Sequence, residues 1–222
     1  MMISEQLTKV YQLLFDRFGP QHWWPGETQF EIIVGAILTQ NTSWANVEKA
    51  IANLKSDNLL TPEKLHHIDV SQLAELIRPA GYYNIKAKRL KSFLTWLFEE
   101  YAGLLTKLEE VSTDQLRDEL LAIKGIGRET ADSILLYAFG RNVFVVDAYT
   151  ARIACRHELI EAGADYEQLR ELFQSNLPED IQLFNEYHAL LVRVGKEFCK
   201  PKARCTNCPL RNLPHTLDIE YF

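Results

Sequence analysis

Apolar residues recur at spacings of three and four along most of this chain, the period of amphipathic helices and not of strands. Leu7, Val10, Leu13, Leu14 and Phe18 share one face of an opening helix whose other positions carry Glu5, Lys9, Asp16 and Arg17. Phe30, Ile33, Val34, Ile37 and Leu38 form a second stripe, and Trp44, Val47, Ile51 and Leu54 a third. The same spacing predicts helices over residues 71–77, 85–100, 113–122, 129–139, 148–159, 166–176 and 181–198. Pro62, Pro79 to Gly81, Gly103, Gly140 and Pro178 punctuate them, as helix-breaking residues do. Only the run 142–146 alternates as a strand would. The pattern therefore predicts an all-α chain of many short helices with no internal repeat.

The chain has 222 residues, 47% of them hydrophobic, which suffices for one large domain or two small ones with a buried core. Its first twenty residues read as a surface helix, with neither a membrane span nor an export signal, so a cytoplasmic monomer is expected. A formal net charge of −6 argues against nucleic acid as a partner, because phosphate contacts need Lys and Arg. The distribution changes that picture. Basic residues gather at Arg78, Lys86, Lys88, Arg89 and Lys91, at Lys124 and Arg128, and at Lys196, Lys200, Lys202, Arg204 and Arg211, while acids concentrate over 99–119 and 158–186. A polarised surface reconciles the sum with the clusters, although each run taken alone is also what a solvated helix face looks like.

The most informative segment is Leu121-Ala-Ile-Lys-Gly-Ile-Gly-Arg-Glu-Thr-Ala-Asp-Ser-Ile-Leu. An apolar helix end runs into Gly125 and Gly127, and a new helix opens at Arg128, Glu129 and Thr130. Glycines allow positive φ and close approach, and the unpaired N–H groups of a helix start attract an anion such as phosphate. Asp147 follows about twenty residues later, after Val143-Phe144-Val145-Val146 and at the expected start of a helix. On its own it reads as an N-cap. His22-Trp23-Trp24-Pro25 is unusual, since adjacent tryptophans cannot both face one helical core, and it reads as a loop whose rings either pack or line a pocket. Cys199, Cys205 and Cys208 lie in a basic loop ending in Cys-x-x-Cys, a spacing that suits a metal. Cys155, inside an expected helix, reads as a small core residue.

The hairpin with its downstream aspartate resembles the endonuclease III (helix-hairpin-helix-Gly/Pro-Asp) superfamily of DNA glycosylases. Trp-Trp-Pro with an aromatic at 44 resembles the 3-methyladenine DNA glycosylase branch related to endonuclease III. The resemblance implies two helical lobes: a helical barrel over 25–139 with the hairpin at 121–130, and a second lobe of 1–24 plus 140–222 carrying the cysteine loop 199–208, the two meeting near Asp147. It implies that Asp147 is catalytic, stabilising oxocarbenium character in the sugar and activating water. Trp23, Trp24, Pro25 and Trp44 would form a pocket for a flipped base, whose positive charge, where the base is alkylated on the ring, aromatic faces attract.

The same resemblance assigns DNA contacts to Gln40, Tyr82, Lys124, Gly125, Gly127, Arg128 and Thr130. Gln40 would fill the gap left by the flipped nucleotide and Tyr82 would wedge into the duplex. Without it, Gln40 reads as a capping-region residue and Tyr82 as a turn residue. Lyase-competent relatives carry a nucleophilic lysine two positions after the second glycine, and Glu129 stands there in this chain. A carboxylate cannot form a Schiff base, so the expectation is a monofunctional enzyme that uses water. Relatives hold a [4Fe–4S] cluster on four thiolates, but Pro214 occupies the expected fourth position and His215 lies beside it. Cys199, Cys205, Cys208 and His215 could therefore hold an unusual cluster or zinc, or the site could hold no metal.

The expected function is hydrolytic release of alkylated purines such as 3-methyladenine from double-stranded DNA with a damaged base, with no membrane involvement. The alternatives are a bifunctional glycosylase and lyase for oxidised pyrimidines, a non-catalytic hairpin DNA-binding protein, and a metal-stabilised protein-interaction domain.

Overall fold

The computed structural model describes residues 2–217. They form helices and connecting loops, with no strand among the described residues. Two compact units divide the chain: residues 25–141, and a split unit of 1–24 and 142–222.

The chain opens with α1 (Ile3–Phe18), which buries Leu7, Val10 and Leu14 in the split unit. The central unit is built around α2 (Gln29–Leu38), whose N-cap Thr28 accepts a hydrogen bond from the Glu31 amide. Nearly every residue of α2 is buried, as expected of a helix apolar on all sides. Around it come α3 (Trp44–Ser56), α4 (Pro62–His67), α5 (Val70–Leu76), a 3₁₀ turn (Arg78–Ala80) and the long α6 (Tyr83–Tyr101). The unit continues with α7 (Thr106–Glu109), α8 (Thr113–Ala122) and α9 (Arg128–Ser133). The helix expected over 129–139 keeps its α geometry only to Ser133 and then widens into a π-helical turn, Ile134–Ala138, whose residues up to Tyr137 are buried. The one buried acid of α2, Glu31, is paired with Lys55 of α3 at 2.9 Å.

The split unit holds α1, α10 (Ala148–Arg156), α11 (Tyr166–Gln174) and α12 (Ile181–Glu197). Its core is aromatic. Phe144 stacks on Phe173 at 4.1 Å between centroids, and Phe184 and Tyr187 meet Phe144 edge-on. The Tyr187 hydroxyl donates to the Leu7 carbonyl at 2.9 Å, tying α12 to α1. The run expected to alternate as a strand forms no ladder among the described residues. Val143 to Val146 are all buried, and side chains accept from two of their amides: the Gln174 carbonyl oxygen from Phe144 at 3.0 Å and the Tyr166 hydroxyl from Val146 at 3.5 Å. A buried N–H needs a partner, and a nearby amide side chain serves as well as a strand.

Candidate active site

Each unit carries its own share of the residues singled out by sequence. In the central unit, α8 and α9 form the arms of the glycine hairpin. Arg117 of α8 makes a two-point ion pair with Asp132 of α9, Nε to Oδ1 at 2.6 Å and Nη2 to Oδ2 at 3.1 Å, and Asp132 is fully buried. The turn between them closes with the Ile126 amide donating to the Ile123 carbonyl at 3.0 Å.

The two glycines do different work. Gly125 has φ +96°, and a Cβ built on it would lie 2.4 Å from Arg89 Cγ, so both conformation and space demand glycine. Gly127 has φ −97° and ψ 177°, an ordinary extended conformation, and a Cβ there would meet nothing. The positive φ that glycine permits is therefore used only at the first. Gly127 is instead the N-cap of α9, with no side chain over the first turn. Lys124, Arg128 and Glu129 are exposed around this turn, while Thr130 is buried.

Gln40 is turned into this hairpin. Its Nε2 donates to the Gly125 carbonyl at 3.1 Å and to the Thr130 hydroxyl at 2.9 Å, and Arg89 donates to its Oε1. Both ends of the amide are thus engaged within the central unit. The basic cluster of α6 is also largely spent internally. Lys86 is buried and donates to the Ala80 carbonyl at 2.8 Å, and burial pushes its pKa down to about 8. Lys91 donates to the carbonyls of Leu65, His66 and Ile68, closing the C-terminal end of α4. Lys88 remains exposed on α6. Tyr82, the N-cap of α6, sits in left-handed backbone (φ 45°, ψ 31°) with its side chain projecting, 67% exposed. Trp44 is half-buried and its indole N–H donates to Glu48 one turn on. Pro25 is exposed at the start of the same unit.

In the split unit, Asp147 caps α10. Its Oδ1 accepts from the Thr150 amide at 2.7 Å and from the Thr150 hydroxyl at 3.0 Å. Its Oδ2 faces Nε2 of His188 on α12 at 3.7 Å, an ion-pair separation longer than a hydrogen bond. Burial alone raises the carboxyl pKa, but His188 and the two Thr150 donors outweigh it and hold the group below the usual carboxylate range. The side chain is nearly enclosed, 12% exposed. His188 escaped the sequence reading. The available signal was an imidazole on the core stripe of α12, at i+4 from Phe184 and i−3 from Leu191, where an apolar residue belongs.

Trp23 and Trp24 are half-buried and meet edge to face, centroids 5.5 Å apart. Lys196 of α12 places its ammonium 6.0 Å from the Trp23 ring centre. Cys199, Cys205, Cys208 and His215 do come together: with Arg156 and His157 they line one cavity of about 20 Å³. Burial, with the charges of Cys199 and Cys205 adding to it, pushes the Cys208 thiol up. Arg156 donates to Cys199 Sγ at 3.4 Å and to the carbonyls of Lys200 and Pro201. His215 Nδ1 is engaged by the Leu213 carbonyl at 2.8 Å. Pro214 has no donor atom on its side chain, and its carbonyl is taken by His157. Among the described residues no group of three or more His, Cys, Asp or Glu is placed to hold a metal ion. A four-thiolate cluster does not fit this donor set.

A glycine hairpin whose second helix opens without a capping side chain, in a chain that also carries an enclosed, ionised aspartate, defines a helix-hairpin-helix protein that works on DNA. The chain belongs to the HhH-GPD superfamily of base excision DNA repair proteins, whose sequence profile matches residues 34–179, both features included. It is a DNA glycosylase of that endonuclease III-like superfamily. A Methanocaldococcus jannaschii protein, described provisionally as a DNA repair glycosylase, is 52% identical over 209 residues, covering 93% of this chain and 94% of that one. Endonuclease III of Thermotoga maritima is 31% identical over 184 residues, 82% of this chain and 81% of its own. Among solved structures, a Helicobacter pylori 3-methyladenine DNA glycosylase bound to 1,N6-ethenoadenine superposes with a TM-score of 0.74 at 30% identity, covering 89% of this chain and 98% of that one. An endonuclease III–DNA complex shares the fold at a TM-score of 0.81, covering 96% of each chain at 23% identity. No helix among the described residues is long and apolar enough to cross a membrane.

Proposed function

We propose that this glycosylase is monofunctional and releases alkylated purines, 3-methyladenine among them, from duplex DNA by hydrolysis. The observation that carries the reading is the division of labour on Asp147. Thr150 fixes Oδ1, leaving Oδ2 as the one oxygen of an ionised, enclosed carboxylate that can serve chemistry. As the base departs, the deoxyribose takes on positive charge, and a fixed anion in a poorly solvated site stabilises it without reorganising. The same oxygen takes a proton from the attacking water, so the sugar gains hydroxide and the base leaves with its bonding electrons.

Three further features support hydrolysis of an alkylated purine. Glu129, exposed at the start of α9, cannot act as an amine nucleophile. Trp23, Trp24 and Trp44 offer half-buried ring faces of the kind that hold a flipped base, and electron-rich rings favour a cationic one. The Helicobacter pylori relative is a 3-methyladenine glycosylase at 30% identity. Tyr82, exposed and held in left-handed backbone, suits the duplex wedge. Gln40 suits support of the hairpin, since its amide is spent on Gly125, Thr130 and Arg89. No step is routed through the cysteine loop.

A panel of duplexes carrying methylated and oxidised bases tests the reading: free 3-methyladenine should appear with wild type and fall about 100- to 1,000-fold with Asp147→Asn, the usual loss on removing one preorganised electrostatic group. Release confined to oxidised pyrimidines would overturn it. One observation favours a second reading, a lyase: Lys196 places an exposed amine against Trp23 in the unit that carries Asp147. Borohydride trapping separates the two, because only a Schiff base is captured covalently and the Lys196→Met variant would abolish capture.

A further inference from the structure

The Asp147 carboxylate faces a buried imidazole, and that pairing has no role in capping the helix. His188 is 5% exposed, on the middle of α12, surrounded in sequence by Tyr187, Ala189, Leu190 and Leu191, all buried. A polar ring at such a position is costly unless something polar answers it. What answers it is Oδ2, the oxygen that Thr150 leaves alone.

We propose that His188 is a positioning residue for base release: its Nε2–H holds Oδ2 of Asp147 in orientation and in the ionised state. The inference rests on the reading of Asp147 as the group that meets the sugar. At 3.7 Å the two atoms are near enough for charge attraction and too far for a tight hydrogen bond. Oδ2 therefore keeps its lone pairs for the reaction while its direction is biased. Contacts of this kind are often long before substrate binds and shorten as charge develops. The arrangement requires Nε2 to carry the donor hydrogen. The groups acting on the carboxyl are the Thr150 amide and hydroxyl from α10 and His188 from α12. Removing His188 leaves burial, which favours the protonated acid, opposed by Thr150 alone.

The test uses His188→Leu, similar in bulk without a donor, and His188→Gln, whose side-chain amide restores one. Single-turnover base release should fall about 10- to 100-fold in the leucine variant, the effect of losing one hydrogen bond to a charged group. Duplex affinity should stay within about twofold, and the acid limb of the rate profile should move to higher pH, because Asp147 protonates earlier. Glutamine should recover most of the rate and return the limb. Equal losses in both variants, or a leucine variant with the wild-type rate and profile, would overturn the proposal. A carbon-13 titration of the Asp147 carboxyl reads the same interaction without turnover. Its pKa should rise in His188→Leu and not in His188→Gln. If wild type releases no base while this titration behaves as stated, the glycosylase assignment of Asp147 fails and the positioning contact stands. If base is released and the titration does not move, the contact fails alone.

Discussion

The two hairpin glycines offer a matched perturbation in which one methyl group reports on folding and the other on DNA. Gly125→Ala forces a side chain into φ +96° and into Arg89, whose Cγ would lie 2.4 Å away. Left-handed backbone costs a non-glycine residue about 1–2 kcal/mol. Displacing Arg89 breaks its hydrogen bond to Gln40, which also carries Thr130 and Gly125, and adds about 1–2 kcal/mol for a partly exposed charged contact. The sum is about 2–4 kcal/mol, or a melting temperature lowered by roughly 5–15 °C in a chain of this size. Gly127→Ala meets open space at ordinary dihedrals. The small penalty for alanine at an N-cap, below about 1 kcal/mol, is offset by the unfolded-chain freedom that glycine carries, so the melting temperature should move by no more than about 2 °C. If a phosphate approaches the first turn of α9, the added methyl stands in its way, and affinity for undamaged duplex should drop about tenfold in Gly127→Ala. Thermal unfolding and fluorescence anisotropy at fixed salt read the two effects separately. Equal loss of melting temperature in both variants would refute the geometric distinction, and unchanged affinity in Gly127→Ala would refute the phosphate cradle.

Three other outcomes are expected. Asp132→Ala removes the buried acceptor of Arg117's two-point ion pair and should destabilise the protein by about 3–5 kcal/mol in denaturant titration, against under 1 kcal/mol if the pair is idle. Lys86 is buried with its pKa lowered from 10.5 to about 8, so the folded state releases that proton before the unfolded one does. The resulting stability is fully present above about 10.5 and is lost as pH falls through about 8, so wild type should gain about 1–3 kcal/mol on Lys86→Met across that window, and a flat difference would contradict it. Protein purified without oxygen should lack the visible absorption of an iron–sulfur cluster, because Pro214 supplies no fourth thiolate and no three His, Cys, Asp or Glu among the described residues converge on a metal position, and a stoichiometric iron and sulfide content would refute that inference.

The helices were legible because their apolar stripes run for several turns. The 113–122 prediction matches α8 at both ends, and α12 differs from its expectation by one residue. Short elements did not register. α4 and α7 are only six and four residues long, below the span over which a 3.6-residue period can be recognised. Thr61-Pro62-Glu63 was nonetheless a readable start signal, with Thr61 capping and proline in the first turn. Charge was the least legible property. Five basic residues on and before α6 read as one cluster on a polarised surface, yet Lys86 and Lys91 are committed to backbone carbonyls and Arg89 to Gln40. Nothing in a linear sequence says which carbonyl a lysine will find, because those acceptors lie 6 to 26 residues away.

On the proposed function, capping and catalysis are not rival roles for Asp147. A carboxylate has two oxygens, and a cap needs one. The first turn of α10 takes Oδ1 through both donors of Thr150, which fixes the side chain, and His188 together with those donors holds the group ionised despite its enclosure. That same fixation is what a stabiliser of developing positive charge requires, since a mobile or protonated carboxyl would lose the advantage. The cap is thus the mechanical basis of the site. What sequence could not supply was the second constraint, because His188 lies forty-one positions away on another helix. It occupies a core position by spacing, and its imidazole faces the oxygen that the cap leaves over.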